Sequence, residues 1–302
     1  MVDTVAARGR RERSRARRAP RHRAPVAAEN FIGTFTGLGD LAYEGARVSA
    51  SVVDLDSGRP LVAIDDRIVL PTAGIGKVLL LIEVSARLTQ RDFSGYGILD
   101  KSHKDAVGGR GVWQHLQAPS LPVADLASLV GATSDNVATN ALLREVGLPA
   151  VRRRAEALGL SRTAMLDIVR ATRGPDDAPQ LSVGSTAELA GLFGALARGE
   201  VVDSLTSSRV LGWLSLGSDF SMVASAFGLD PLAHRATDHG ILLVNKTGVD
   251  EGVRAEVGVL RGPRTAVCYS VTIQFNDANV WSRLRVLDTM RTIGFDLLEY
   301  VH

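Results

Sequence analysis

Lysine is scarce in this 302-residue chain: of 35 basic residues only Lys77, Lys101, Lys104 and Lys246 are lysines, the rest being arginine. Lysine can give up its proton within an accessible pH range, whereas arginine effectively cannot, so each lysine is a candidate for proton transfer. Two of the four sit in short motifs. Lys77 closes Pro71-Thr72-Ala73-Gly74-Ile75-Gly76-Lys77 at the start of an apolar helical run, and Lys246 opens Lys246-Thr247-Gly248 at the end of an apolar strand. Between them Ser134-Asp135-Asn136 stands at a helix start. Taken singly, each has a structural reading: Ser134 or Asp135 as a helix cap, Thr247-Gly248 as a strand-ending turn. Their joint order carries the functional argument, because short patterns match by chance.

In that order the motifs resemble the signature of the class A β-lactamase and penicillin-binding-protein superfamily, Ser-x-x-Lys, Ser-Asp-Asn and Lys-Thr-Gly. The resemblance covers about residues 45 to 300, and the stretch Leu126 to Asn140 places Ser-Asp-Asn between two helical segments as class A does. It implies a serine hydrolase acting on β-lactams, or on a related amide or ester, through an acyl-enzyme. It implies that Lys77 is a general base or proton relay, that Ser134 passes a proton to the leaving nitrogen, and that Asn136 bonds the substrate amide. Lys246 and Thr247, with Gly248 beside them, would hold a substrate carboxylate, and the backbone N–H groups of Gly74 and Val249 would form an oxyanion hole. The expected partner is a small-molecule carboxylate or a β-lactam, and no cofactor or metal is implied.

Two departures qualify the activity. Three residues before Lys77, where the family has its nucleophilic serine, this chain has Gly74, which offers no oxygen to attack a carbonyl. Thr72 lies two residues earlier and would point elsewhere. Class A enzymes also use a glutamate in a loop after the Ser-Asp-Asn helices to activate water, yet no glutamate occurs between Glu156 and Glu188. Asp167, Asp176 and Asp177 lie there, with loop solvation or capping as their expected roles. The chain is therefore expected to be inactive or nearly so as a hydrolase. The alternative is a natural pseudoenzyme that binds a β-lactam-like or peptidoglycan-derived ligand without turnover.

Other chemistry is poorly supported. His234 and His239 flank a possible partner, Asp238, but have no third zinc ligand in evidence and read as satisfied surface or core histidines. Trp113, Trp213 and Trp281 are too dispersed to stack bases and read as packing residues. Cys268 is the sole cysteine, so no internal disulfide can form, and its apolar surroundings suggest a buried structural thiol. No Gly-x-x-x-x-Gly-Lys phosphate loop occurs.

The elements that must position these residues follow from periodicity. Val48 to Leu55 and Leu61 to Ile64, joined by Asp56-Ser57-Gly58, predict a hairpin. Gly74 to Leu88, apolar on every face, predicts a buried central helix. Helical segments follow around 123–130, 136–146, 148–158, 185–197 and 207–213. Strands return at 241–245, 253–260 and 265–275, and an amphipathic helix spans about 280–298. Strands near both ends with helices between them predict an α/β fold of the α+β type: an antiparallel sheet built from N- and C-terminal segments and flanked by helices, beside an all-helical lobe. The expected division is an arginine-rich disordered arm at 1–30, an α/β lobe from 31–75 and 241–302, and a helical lobe at 76–240.

The composition, 45% hydrophobic and 23% charged, is that of a globular protein. The net charge of +2 conceals an arm: residues 1–25 hold nine arginines against Asp3 and Glu12, a local +7 that leaves the remainder at −5. Such a block reads as a solvated tail, and nucleic-acid binding is not expected apart from contacts of that arm. No apolar run is long enough to span a membrane. The arginine pairs at 10–11 and 17–18 precede no apolar export segment, so cytoplasmic residence is the expectation.

Overall fold

The valine-rich stretches near the two ends of the chain pair with one another in the structure, a computed structural model that describes residues 31–90 and 94–302. The first elements are α1 (Ile32–Tyr43), β1 (Arg47–Asp54), β2 (Pro60–Ile64), β3 (Leu70–Pro71) and α2 (Lys77–Gln90). Then come β4 (Ile98–Asp100), β5 (Ser120–Pro122), α3 (Val123–Thr133), α4 (Asn136–Val146), α5 (Leu148–Ala157), β6 (Ala164–Met165), β7 (Ser182–Gly184), α6 (Thr186–Arg198) and α7 (Ser204–Leu214). The chain closes with β8 (Leu242–Asp250), β9 (Val253–Arg261), β10 (Ala266–Gln274) and α8 (Val280–Val301). The expectation for the arginine-rich arm falls outside the described residues.

The main sheet has the order β2-β1-β10-β9-β8, with neighbouring strands antiparallel throughout. The mixed α/β architecture anticipated from the sequence is thus present: β1 pairs with β10 from Arg47–Gln274 to Asp54–Val267, across more than two hundred residues of chain. Val48, Ala50 and Val52 of β1 and Tyr269, Val271 and Ile273 of β10 pack with Leu38 of α1 and with Val286, Met290, Ile293 and Leu297 of α8. A second core surrounds α2, whose residues 77–86 are all buried, and draws on α3, α4, α6 and α7. A helix apolar on every face can be satisfied only at the centre of a bundle, which is where α2 lies.

Two local expectations need correction, and one element was not anticipated: the glycine-dotted segment before β1 is a helix, α1. A Cβ at Gly33 or Gly37 would lie 2.8 and 3.0 Å from the Cγ2 atoms of Thr292 and Thr289, so small residues there let α1 approach α8 closely. The central helix begins at Lys77, preceded by a 3-10 turn over Ala73–Gly76. Lys246-Thr247-Gly248 does not end a strand: β8 runs on to Asp250, in register with β9, and the turn is made at Glu251-Gly252.

Candidate active site

The three motifs converge on one cleft. Ala73, Gly74, Lys77, Ser134, Asn136, Thr247 and Val249 all border a cavity of about 750 Å³, beside a smaller one of about 340 Å³ that Lys246 and Asn245 line. Strand β8 is an edge strand and lies against the 3-10 turn. A Cβ at Gly248 would meet the Thr72 carbonyl oxygen at 2.2 Å, so only glycine permits this approach, and Gly248 acts as a spacer. The Thr72 hydroxyl is fully buried and shares a hydrogen bond of 2.8 Å with Ser182 Oγ, away from the cleft.

Gly74 has no side chain, but the direction of its missing one is informative. A Cβ there would point among Ser134 Oγ at 2.9 Å, the Thr247 carbonyl at 3.2 Å and Lys246 Nζ at 3.8 Å. Lys77, at the first residue of α2, is 2% exposed and donates from Nζ to the Ser134 carbonyl (2.7 Å) and to Asn136 Oδ1 (2.8 Å). Asn136 Nδ2 in turn donates to the Gly108 carbonyl at 3.0 Å, so both ends of that amide are engaged within the protein. Ser134 takes a left-handed conformation, φ 56°, after α3, and its buried hydroxyl has no hydrogen-bond partner. Asp135 is the cap the local sequence suggests. Its Oδ1 accepts from the Ala138 amide at 2.9 Å, while Oδ2 accepts from Val112 and Trp113 at 2.7 and 2.8 Å, fastening the glycine-rich loop to α4.

Burial governs the electrostatics. It pushes the Lys77 amine well below its ordinary pKa, aided by repulsion from Lys246 and Arg110 and opposed by Asp135. Lys246, 3% exposed, is lowered by burial and by Arg110 to about 7, against the pull of Asp219 and Glu256. Its Nζ donates to the Thr247 carbonyl at 2.9 Å. Lys246 can therefore exchange a proton near neutrality, and the Lys77 amine, also lowered, gives up its proton more readily than an ordinary lysine.

Arg110, Asp219 and Glu256 were not singled out as charged participants in the sequence. Arg110 lies within the glycine-rich stretch Gly108-Gly109-Arg110-Gly111, and Asp219 follows Gly217-Ser218 with no motif of its own. In the structure Asp219 Oδ2 accepts from Thr247 Oγ1 at 2.8 Å and from Arg110 Nη1 at 3.1 Å. Burial would raise the Asp219 carboxyl, but hydrogen bonds from Ser221 and Thr247 and the Arg110 charge outweigh it and hold the pKa below the ordinary value. Glu256 is fully buried and is raised to about 7, although its Oε1 accepts from Asn245 Nδ2 at 2.9 Å and from the Tyr269 hydroxyl at 2.7 Å. A carboxylate in the middle of a strand rich in valine was the available signal for it.

The loop between β6 and β7 forms the opposite wall, contributing Val169, Arg170, Ala171, Thr172 and Arg173. Asn140 pins it by accepting from the Val169 amide and donating to the Val169 carbonyl, both at 2.9 Å. Asp167 accepts from Arg170 Nε at 2.7 Å and Arg173 Nη1 at 2.6 Å, and Arg170 also pairs with Asp177 at 3.0 Å. Asp176 is exposed. Two of the three loop aspartates thus serve the loop's own ion pairs. Elsewhere, His234 is buried against Phe220 while His239 is exposed. Cys268 is buried, with burial pushing its thiol up. Trp113 and Trp213 are buried, but Trp281, expected to pack, is 75% exposed on α8. Among the described residues no group of three acidic, histidine or cysteine side chains could hold a metal ion, and no helix is long and apolar enough to cross a membrane.

Solved structures of similar fold include several β-lactamases. That of Sphaerobacter thermophilus superimposes with a TM-score of 0.77 at 20% identity, covering 90% of this chain and 97% of the other. That of Xanthomonas campestris gives 0.75 at 16% identity, covering 91% and 99%. An ancestral class A β-lactamase gives 0.73 at 19% identity, covering 88% and 99%. The chain thus has the fold of these β-lactamases, with its cleft at the edge of the sheet. The chain belongs to the Beta-lactamase enzyme family, whose sequence profile matches residues 35–301. No curated protein matches it.

Proposed function

We propose that this chain is a serine-hydrolase scaffold of the β-lactamase type with Gly74 at the nucleophile position, so that its cleft binds a β-lactam or a related small amide or ester and forms no acyl-enzyme. The observation that carries this reading is the vector from Gly74 into the cleft, toward Ser134 Oγ, Thr247 and Lys246 Nζ. An oxygen on that vector would lie close to the buried Lys246 amine, and Lys77, a second buried amine of lowered pKa, borders the same cavity as Gly74, the setting in which a hydroxyl is activated. In this reading Lys77 would serve as proton acceptor, Ser134 would relay the proton to the departing nitrogen, and the amides of Gly74 and Val249 would face the carbonyl oxygen.

Binding without turnover is favoured by a second observation. Where the loop between β6 and β7 borders the cleft it presents valine, arginine, alanine, threonine, proline, glutamine and leucine but no carboxylate, and its Asp167 is held by Arg170 and Arg173. A water on that side of the cavity would find no carboxylate of the loop bordering it to act as its base.

The test is Gly74→Ser. Gly74 does not have a positive φ, so a side chain is compatible with its backbone, and the Ser134 hydroxyl that a Cβ would crowd can rotate away without losing a partner. Incubated at saturating concentration with benzylpenicillin or its methyl ester, Gly74→Ser is expected to gain the mass of one covalent adduct that persists through dialysis. The unchanged chain is expected to gain none. A Gly74→Ser protein that folds and stays unlabelled by both would overturn the assignment of residue 74.

A further inference from the structure

Thr247 Oγ1, Arg110 Nη1 and the Ser221 hydroxyl and amide all point their hydrogens at one carboxylate, at 2.8, 3.1, 2.6 and 3.2 Å. That carboxylate belongs to the protein itself. Asp219 comes from the segment after α7, Arg110 from the loop before β5, and Thr247 from β8, so the contact closes across three separate parts of the chain. Arg110 and Thr247 border the larger cavity as well as the smaller one, whereas Asp219 borders only the smaller. A hydroxyl, a guanidinium and the nearby Lys246 amine make a seat for an anion by their chemistry alone.

We propose that Asp219 fixes the charge preference of the cleft: as an internal carboxylate it fills the seat formed by Thr247 and Arg110, with Lys246 lining the same cavity, so the ligand group presented there is an uncharged amide or ester and not a carboxylate. This rests on the proposed reading of the cleft and reverses one expectation drawn from the family resemblance, that Lys246 and Thr247 hold the substrate's carboxylate. Its physical basis is twofold. An entering carboxylate would have to displace Asp219 from hydrogen bonds donated by four groups or lie beside a like charge, and like-charge contacts discriminate strongly against a ligand. A neutral carbonyl could instead accept from Arg110, whose fork has donors to spare beyond the one given to Asp219. Asp219 stays ionised throughout the neutral range, because its hydrogen bonds hold its pKa down.

The experiment compares benzylpenicillin with its methyl ester, which differ in this one charge, by titration calorimetry against the unchanged chain, Asp219→Ala and Asp219→Asn. Acetate, followed through the Thr247 amide resonance, serves as a third probe. The unchanged chain is expected to bind the ester at least about tenfold more tightly than the acid, a modest fraction of what a like-charge contact can impose. Both variants should shift the preference toward the acid by about tenfold or more and let acetate move the Thr247 resonance at concentrations that leave it still in the unchanged chain. A preference of the unchanged chain for the acid would overturn the proposal, as would equal gains for acid and ester in Asp219→Ala, since Asp219 would then only obstruct the cleft. If neither penicillin binds any variant and Gly74→Ser stays unlabelled, the reading of the cleft fails and acetate alone decides: a new acetate site in Asp219→Ala upholds Asp219 as the internal occupant, and its absence overturns it.

Discussion

Ser134 is held in a conformation that non-glycine residues avoid, with a hydroxyl that finds nothing to bond. Each feature costs on the order of 1–3 kcal/mol when it stands alone. The surroundings impose both: the Ser134 amide donates to the Val130 carbonyl at 3.1 Å, and its carbonyl accepts from Lys77 at 2.7 Å. Backbone partners therefore hold the residue while its side chain contributes no bond. Ser134→Ala is accordingly expected to leave stability unchanged or to raise it by up to about 1 kcal/mol, because it removes an unpaired buried hydroxyl and no hydrogen bond. Urea unfolding checks this; a loss of 2 kcal/mol or more, about what breaking a satisfied buried hydrogen bond costs, would mean that the hydroxyl has a partner in solution. The missing oxygen at residue 74 was legible in the sequence. That the Ser134 hydroxyl borders the space it would fill was not, since sixty residues separate the two and only the packing of α2 against α3 and α4 joins them.

At the scale of elements, the start of α4 organises the site more than any catalytic group does. Asp135 caps that helix and also receives two amides of the loop carrying Arg110, while the Asn136 amide donates to the Arg110 carbonyl at 3.0 Å. Asp135→Ala would leave three N–H groups without this partner, those of Trp113 and Ala138 in buried surroundings, and is expected to destabilise the protein by about 2–4 kcal/mol, more than a cap alone, with the Arg110–Asp219 contact loosened. The urea midpoint measures the first effect, and the resonance of the Arg110 guanidinium the second. The cap was legible locally, because Ser-Asp-Asn before an apolar run is a helix-start pattern. The reach of the same carboxylate to Val112 and Trp113 was not, because it depends on tertiary placement. Two failures of local reading share one cause. Thr247-Gly248 has turn chemistry, yet nine ladder pairs with β9 carry β8 through it. Gly33 and Gly37 lower helix propensity, yet α1 forms because they admit α8 at close range.

Across the whole molecule, two buried charges make stability depend on pH in opposite directions. Glu256 has a folded pKa of about 7 against an ordinary 4.5, so between those values the folded chain keeps a proton that the unfolded chain has lost, and stability falls as pH rises. Lys246 has a folded pKa of about 7 against 10.5, so above neutrality the unfolded chain keeps the extra proton and stability rises with pH. Lys77, also lowered, adds to that alkaline rise. Each proton contributes at most about 1.4 kcal/mol per pH unit, and a shallow minimum in the unfolding midpoint is expected near pH 7. Glu256→Gln should abolish the fall between pH 4.5 and 7 and leave the alkaline rise in place, a difference that thermal unfolding in a pH series resolves.

Periodicity and motif order by themselves determined the architecture: a sheet shared by the two ends of the chain, a buried central helix, and the three motif segments that border the cleft. These are properties of local pattern, and the burial of apolar faces leaves few ways to assemble them. Tertiary structure alone decided what the charged groups do. The sequence places Arg110, Asp219 and Thr247 far apart with no local rule linking them, and Coulomb and hydrogen-bond energies depend on separations of a few ångströms that only the packed chain sets.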